Sequence, residues 1–197
     1  EEDHRSFAIE AQKKENALIH CAQWITSTAG SSPASNPFSM LPEPLVFPVR
    51  LFTVTLIPAK THPMPALDAV TDLITEVFDE IGGNVFLHTH EDEICGLISN
   101  ESLVASGRTL DKKLARLQRQ VTTYFLDAPV IIYHDKPVSL AELRQGYQLC
   151  EDSKALAFYV GCSAPIKATA HTVTAQPFHV SQAELSNATA AAVQNAD

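Results

Sequence analysis

Between residues 51 and 134 the apolar residues change their period in a definite order, and this alternation restricts the fold more than any other feature of the chain. Leu51–Ala59 (LFTVTLIPA) is a β-branched and apolar run closed by Pro58, the pattern of a buried strand. From Pro65 onward, Leu67, Val70, Ile74, Val77 and Ile81 keep helical spacing, and Gly82 or Gly83 supplies the stop. Asn84–His90 reads as a short strand, Glu91 and Asp92 as a tight turn, and Glu93–Ser99 as its hairpin partner. Leu110, Leu114, Leu117, Val121 and Phe125 mark an amphipathic helix, and Ala128–His134 (APVIIYH) a fourth strand.

The order is β-α-β-β-α-β. With right-handed crossovers it predicts a four-stranded antiparallel sheet with two helices on one face, the ferredoxin-like plan of the α+β class. Ser139 and Glu142 then form a capping box that opens a further helix, whose buried stripe is Leu140, Leu143, Tyr147 and Cys150. A short apolar piece, Ala155–Val160, follows.

The flanks differ in character. Residues 1–28 carry a narrow helical stripe of Phe7, Ala11, Leu18, Ala22 and Ile25, which needs cover either from the rest of the chain or from a second copy. Residues 29–50 hold prolines 33, 37, 42, 44 and 48, which exclude a regular helix and indicate a linker or an extended strap. Residues 51–162 are the expected globular unit. Residues 163–197 are an extension, with His171–Val180 as an edge segment and an alanine-rich, helix-capable end over 184–197.

Charge and cysteine usage narrow the function classes. Lys plus Arg number 14 against 23 Asp plus Glu, a net charge of −9, which repels phosphate backbones and disfavours direct nucleic-acid binding. No apolar run approaches the ~20 residues of a membrane helix. The start, EEDHRSF, lacks the features of a secretory signal. Cys21, Cys95, Cys150 and Cys162 form no CxxC pair and read as reduced core thiols, so a cytoplasmic setting is expected.

Motifs for chemistry are sparse. There is no GxSxG, no phosphate loop ending in GK[ST] and no GxGxxG. Asp68, Asp72, Glu76, Asp79 and Glu80 read as a solvated helix face. The conspicuous cluster is His88-Thr89-His90-Glu91-Asp92-Glu93. Two histidines at i and i+2 of a strand share a face, so His88, His90 and Glu93 are weak candidates for a Zn²⁺ or Ni²⁺ site. A cupin site also opens with HxH, but its later carboxylate and second histidine motif are not found at the required spacing. The bland reading, a polar hairpin tip, is favoured, and no cofactor is expected.

The hairpin turn His90-Glu91-Asp92-Glu93-Ile94 on a β-α-β-β-α-β core resembles a degenerate GGDEF domain. The segments Val138–Leu143, Gly146-Tyr147 and Ala155–Gly161 resemble the "SLEEL…SYxEA…AL…FFxG" stretch found in the middle region of AraC-type two-component response regulators. The same stretch occurs in the GGDEF-like unit of purine- and sugar-diacid-type regulators. The resemblance implies that residues 1–28 are the connector after a receiver domain, and that the alanine-rich end leads toward a DNA-binding helix-turn-helix pair. It also exposes departures from an active cyclase. No carboxylate stands in Leu56–Lys60, where the metal-binding Asp follows the first strand. His90 and Glu91 replace the two glycines that admit the nucleotide phosphates, and Phe86–Thr89 replaces the product-binding Arg-x-x-Asp.

The expectation is therefore a non-catalytic signalling and dimerisation module of a transcription-controlling response regulator, with no catalytic residues, homodimeric through residues 1–28. Its partners would be the receiver and DNA-binding domains of the same chain, with no membrane. The alternative is a small-molecule or metal-sensing domain of a transcription regulator, using the sheet face left bare by the helices or the His88/His90 turn. A nucleotide cyclase is the third reading.

Overall fold

The computed structural model describes residues 2–27, 36–57, 65–125 and 128–169. Its elements are helix α1 (Glu2–Thr26), strand β1 (Val49–Thr55), helix α2 (Leu67–Phe78), the hairpin strands β2 (Asn84–His90) and β3 (Glu93–Ser99), helices α3 (Asn100–Ala105) and α4 (Leu110–Phe125), strand β4 (Val130–Tyr133), helices α5 (Leu143–Ser153) and α6 (Ala157–Val160), and strand β5 (Ile166–Lys167). The strands form one mixed sheet in the order β2-β3-β1-β4-β5. The pairs β2/β3, β3/β1 and β1/β4 are antiparallel, and β4/β5 is parallel. This is an α+β fold.

The alternation of side chains along the central strands builds two apolar layers. Phe52, Val54, Ile94 and Ile98 face α2 and α4, whose Val70, Ile74, Val77, Leu114, Leu117 and Val121 complete that core. Leu51, Leu87, Cys95, Leu97 and Ile132 face the other way and meet Ala17, Cys21 and Ile25 of α1, Phe38 and Leu45 of the strap, and Leu143, Tyr147 and Cys150 of α5. Cys21, Cys95 and Cys150 are buried and Cys162 half-buried, all four as free thiols.

Three expectations are corrected. The sheet has a fifth strand: β5 pairs Ile166 with Ile132 and makes the sheet mixed. Two residues without an apolar run carry no local strand signal, and the pairing exists only because β4 presents an edge. The sheet is also covered on both faces, so no bare face remains where a ligand was considered. α1 and α5 bury what the β-α-β-β-α-β plan alone leaves open. The buried stripe of α1 is Ala17, Cys21, Ala22 and Ile25, with Ala11 exposed. The C-terminal half of this helix lies on the sheet, whereas residues 9–16 are exposed throughout.

From residue 36 to 48 the proline-rich stretch forms a strap. A 3₁₀ turn at Pro37–Met40, capped by Asn36 accepting from the Phe38 N–H at 3.0 Å, drops Phe38 into the core. The edge segment at 171–180 and the helix at 184–197 lie outside the described residues. Among the described residues no helix is long and apolar enough to cross a membrane.

Candidate functional site

The hairpin strands have the limits their periodicity predicts, but β2 carries an irregularity that rearranges the histidines. His88 pairs with Ile94, whereas His90 pairs with Glu93, so an extra residue is inserted at Thr89. Such a bulge shifts side-chain alternation by one. His88 and His90 therefore point to opposite faces, contrary to the expectation of a shared one. His88 lies over α2, its Nε2 2.9 Å from Thr71 Oγ1. His90 stays with Glu93 on the face of α5 and is exposed. The set His88, His90 and Glu93 is not assembled. His90, Glu93 and Glu151 are, their ligand atoms within 4.8 Å of one another.

Glu93 is the centre of this cluster and has no solvent exposure. It opens the inner strand β3, opposite Thr55 of β1 and His90 of β2. One carboxylate oxygen, Oε1, accepts from Thr89 Oγ1 at 2.5 Å and from the Tyr147 hydroxyl at 2.7 Å. The other, Oε2, accepts from Thr55 Oγ1 at 3.2 Å and from the Lys154 ammonium. A carboxylate offers about four lone-pair positions, and these donors occupy both oxygens. Lys154 also pairs with Glu151 Oε1 at 2.7 Å. Tyr147, Glu151 and Lys154 stand four and three residues apart, so α5 and the turn after it present all of them on one side.

Electrostatics follow from this packing. Burial pushes the Glu93 carboxyl up, but hydrogen bonds from Glu151, Lys154 and Thr89, with the Lys154 charge, outweigh it and hold the group below its ordinary value. Glu151 moves the other way, raised by burial and by its hydrogen bond to Glu93. Burial lowers Lys154, yet its two carboxylate partners prevail and keep it above its ordinary value. The cluster is thus a half-buried ammonium beside the Glu93 carboxylate and Glu151, whose protonated carboxyl donates the hydrogen bond between the two. Burial also lifts the Tyr147 hydroxyl, which the Glu93 charge lifts further, so it remains a donor. The Cys150 thiol behind it is pushed up to about 12 by burial first, and the Cys95 thiol well above its ordinary value, so neither is a ready nucleophile.

A second contact ties α5 to α1. Arg144 lies over the Trp24 ring, 4.1 Å from its centroid, and its Nε donates to the Trp24 carbonyl at 3.0 Å. Trp24 meets Phe38 edge-on at 5.9 Å, and Phe38 meets Phe47 at 5.7 Å, so helix, strap and α5 form one aromatic joint.

Sequence reasoning placed Tyr147 in the buried stripe and missed its partners. The legible signal was the Tyr-Glu-Lys spacing along α5 and into the turn that follows it. What it faced was not legible. A scan against protein-family models gives no match, and no curated protein matches the chain.

Proposed function

We propose that this chain is a non-catalytic signalling and dimerisation module of a two-component response regulator that controls transcription, its core a degenerate GGDEF-like unit. The observation that carries the reading is the occupancy of Glu93. This carboxylate stands where the resemblance puts an acidic residue of the catalytic turn, and both its oxygens are occupied by donors from Thr55, Thr89, Tyr147 and Lys154. An ammonium sits against it where two-metal phosphoryl transfer needs an open position. The residue fastens α5 to the hairpin instead. The strand order β4-β1-β3-β2 supports the ferredoxin-like plan on which that resemblance rests.

In this reading the N-terminal half of α1, exposed over residues 9–16, receives the dimer state of an upstream receiver. Movement of α1 reaches α5 through Trp24 and Arg144, and α5 leads toward a downstream DNA-binding pair. Ala17, Cys21, Ala22 and Ile25 are buried in the core, so pairing with a second copy falls to the other positions of the helix, of which residues 9–16 are all exposed.

Light scattering after gel filtration tests it, on the chain and on a truncation that begins at residue 17. A dimer that becomes a folded monomer on truncation agrees with the relay. A monomer at high concentration in both removes it. Incubation with GTP and Mg²⁺ or Mn²⁺ should give no cyclic dinucleotide, and product formation would overturn the non-catalytic reading.

The metal-sensing alternative keeps one observation in its favour, the convergence of His90, Glu93 and Glu151. It requires displacement of Lys154. Elemental analysis of the purified chain, with a chelator control, separates the two.

A further inference from the structure

The face of the molecule away from the Glu93 cluster carries a feature at odds with an acidic chain. Four of its 14 Lys and Arg residues, Arg108, Lys112, Lys113 and Arg116, fall within nine positions, at and just before the first two turns of α4. They line a cleft of about 210 Å³ between the start of α4 and the residues just after α2, together with Thr109 and Glu80. We propose that this cleft binds a small phosphate-bearing anion, inorganic phosphate or a compact phosphomonoester.

Lys113 is the unusual member. Its side chain is 8% exposed, on a helix face where an apolar residue would be cheaper to bury. The ammonium is anchored by the Val77 carbonyl at 2.8 Å, which fixes a cation in the wall of the cleft. The carboxylate opposite it is a weak counterion. Glu80 Oε2 stands 3.5 Å from Lys113 and 3.4 Å from Arg108, beyond the ~2.7–2.9 Å of a charge-assisted hydrogen bond, and its side chain is 58% exposed. Among the described residues Lys112 and Arg116 form no ion pair at all. One loose carboxylate thus faces four cations, and the positive end of α4 adds to the same field.

The chemistry of the lining sets the ligand. A guanidinium fork, ammonium groups and the Thr109 hydroxyl suit a tetrahedral oxyanion with several acceptors. The volume lies below the ~300–1,000 Å³ of sites for drug-sized ligands, which favours a phosphate group with little attached to it. The bound anion would take over from Glu80 and tie the end of α2 to the start of α4, on the helix-covered face opposite the α1–α5 joint.

Calorimetric titration at constant ionic strength decides it, with inorganic phosphate, ethyl phosphate and an acidic peptide as separate probes and chloride as the control. Saturable one-to-one binding of phosphate or ethyl phosphate is expected. The variant Lys112→Ala with Arg116→Ala, at exposed positions that leave the fold intact, should weaken it roughly tenfold, the effect of losing a hydrogen bond to a charged group. Glu80→Gln should tighten it, because the competing charge is gone. Phosphate binding over ethyl phosphate would mark the free ion as ligand, and the converse an ester. Absence of saturable binding in the millimolar range, equal binding in the double variant, or binding of the acidic peptide alone would each overturn the proposal.

Discussion

Phe52 lies directly over Gly96, its partner across the β1/β3 ladder, so closely that a Cβ on Gly96 would stand 2.2 Å from the ring Cζ. The ring fills the space a side chain would take and stacks on Phe78 of α2 at 5.4 Å. Gly96→Ala must therefore displace an aromatic that is wholly buried, and overpacking of this kind costs about 3 kcal/mol. Urea melts check it against Gly82→Ala, where the new Cβ meets nothing within 4 Å and the effect should be close to zero.

Removal of the Lys154 charge strands Glu93 in the interior. Lys154→Met should cost about 2–4 kcal/mol, since breaking a buried ion pair leaves one charge uncompensated, here softened by the three remaining donors. Tyr147→Phe should cost about 1.5–3 kcal/mol through one hydrogen bond to a charged group. Lys154→Met combined with Glu93→Gln should recover part of the loss. Additive losses in that double-mutant cycle would contradict a coupled pair.

The two carboxylates give opposite pH dependence. Glu93 is held below its ordinary value of 4.5, so its contribution is present above that pH and is lost as pH falls through its lowered native value. Glu151 is raised above 4.5, so the fold retains a proton that the unfolded chain releases. That contribution is present below 4.5 and is lost as pH rises through its raised native value. Glu151→Gln cannot release the proton. Wild-type stability should therefore fall relative to the variant from about pH 4.5 upward, measured as denaturant midpoints across pH. Parallel profiles would show that the shared hydrogen bond carries no titration.

The hairpin tip should tolerate change where the strand does not. His90 and Glu91 are exposed, so His90→Gly with Glu91→Gly should alter stability by about 1 kcal/mol or less. Leu87 is wholly buried, and Leu87→Ala should cost about 2–5 kcal/mol through the cavity it leaves. On the proposed GGDEF-like reading, the glycine variant should still form no cyclic dinucleotide from GTP, because glycines would restore only the approach to phosphate while Glu93 stays bound to Lys154. A turn variant that unfolds beside a neutral Leu87→Ala would contradict the packing of β2.

Local periodicity alone determined the elements that carry a long, regular signal. β2, β3 and α4 run where the alternation and the helical spacing place them, and Ser139 N–H donates to Glu142 Oε2 at 3.3 Å, the return bond of a capping box, with the Ser139 hydroxyl donating to the same oxygen at 2.6 Å. These interactions lie within a few residues of one another, so sequence contains them. β1 begins at Val49 rather than Leu51, because its first pairing partner is Ser99 at the far end of β3. α3, six residues capped by Ser99, is too short and polar to announce itself. The bulge at Thr89, the covering of the second sheet face by α1, and the meeting of Glu93 with Tyr147 and Lys154 were settled by contacts between residues as many as 120 apart, such as Trp24 and Arg144. A strand's period says that Glu93 and Cys95 share a face. Only the docking of α5 over that face turned a hairpin carboxylate into a buried anion with its own cation.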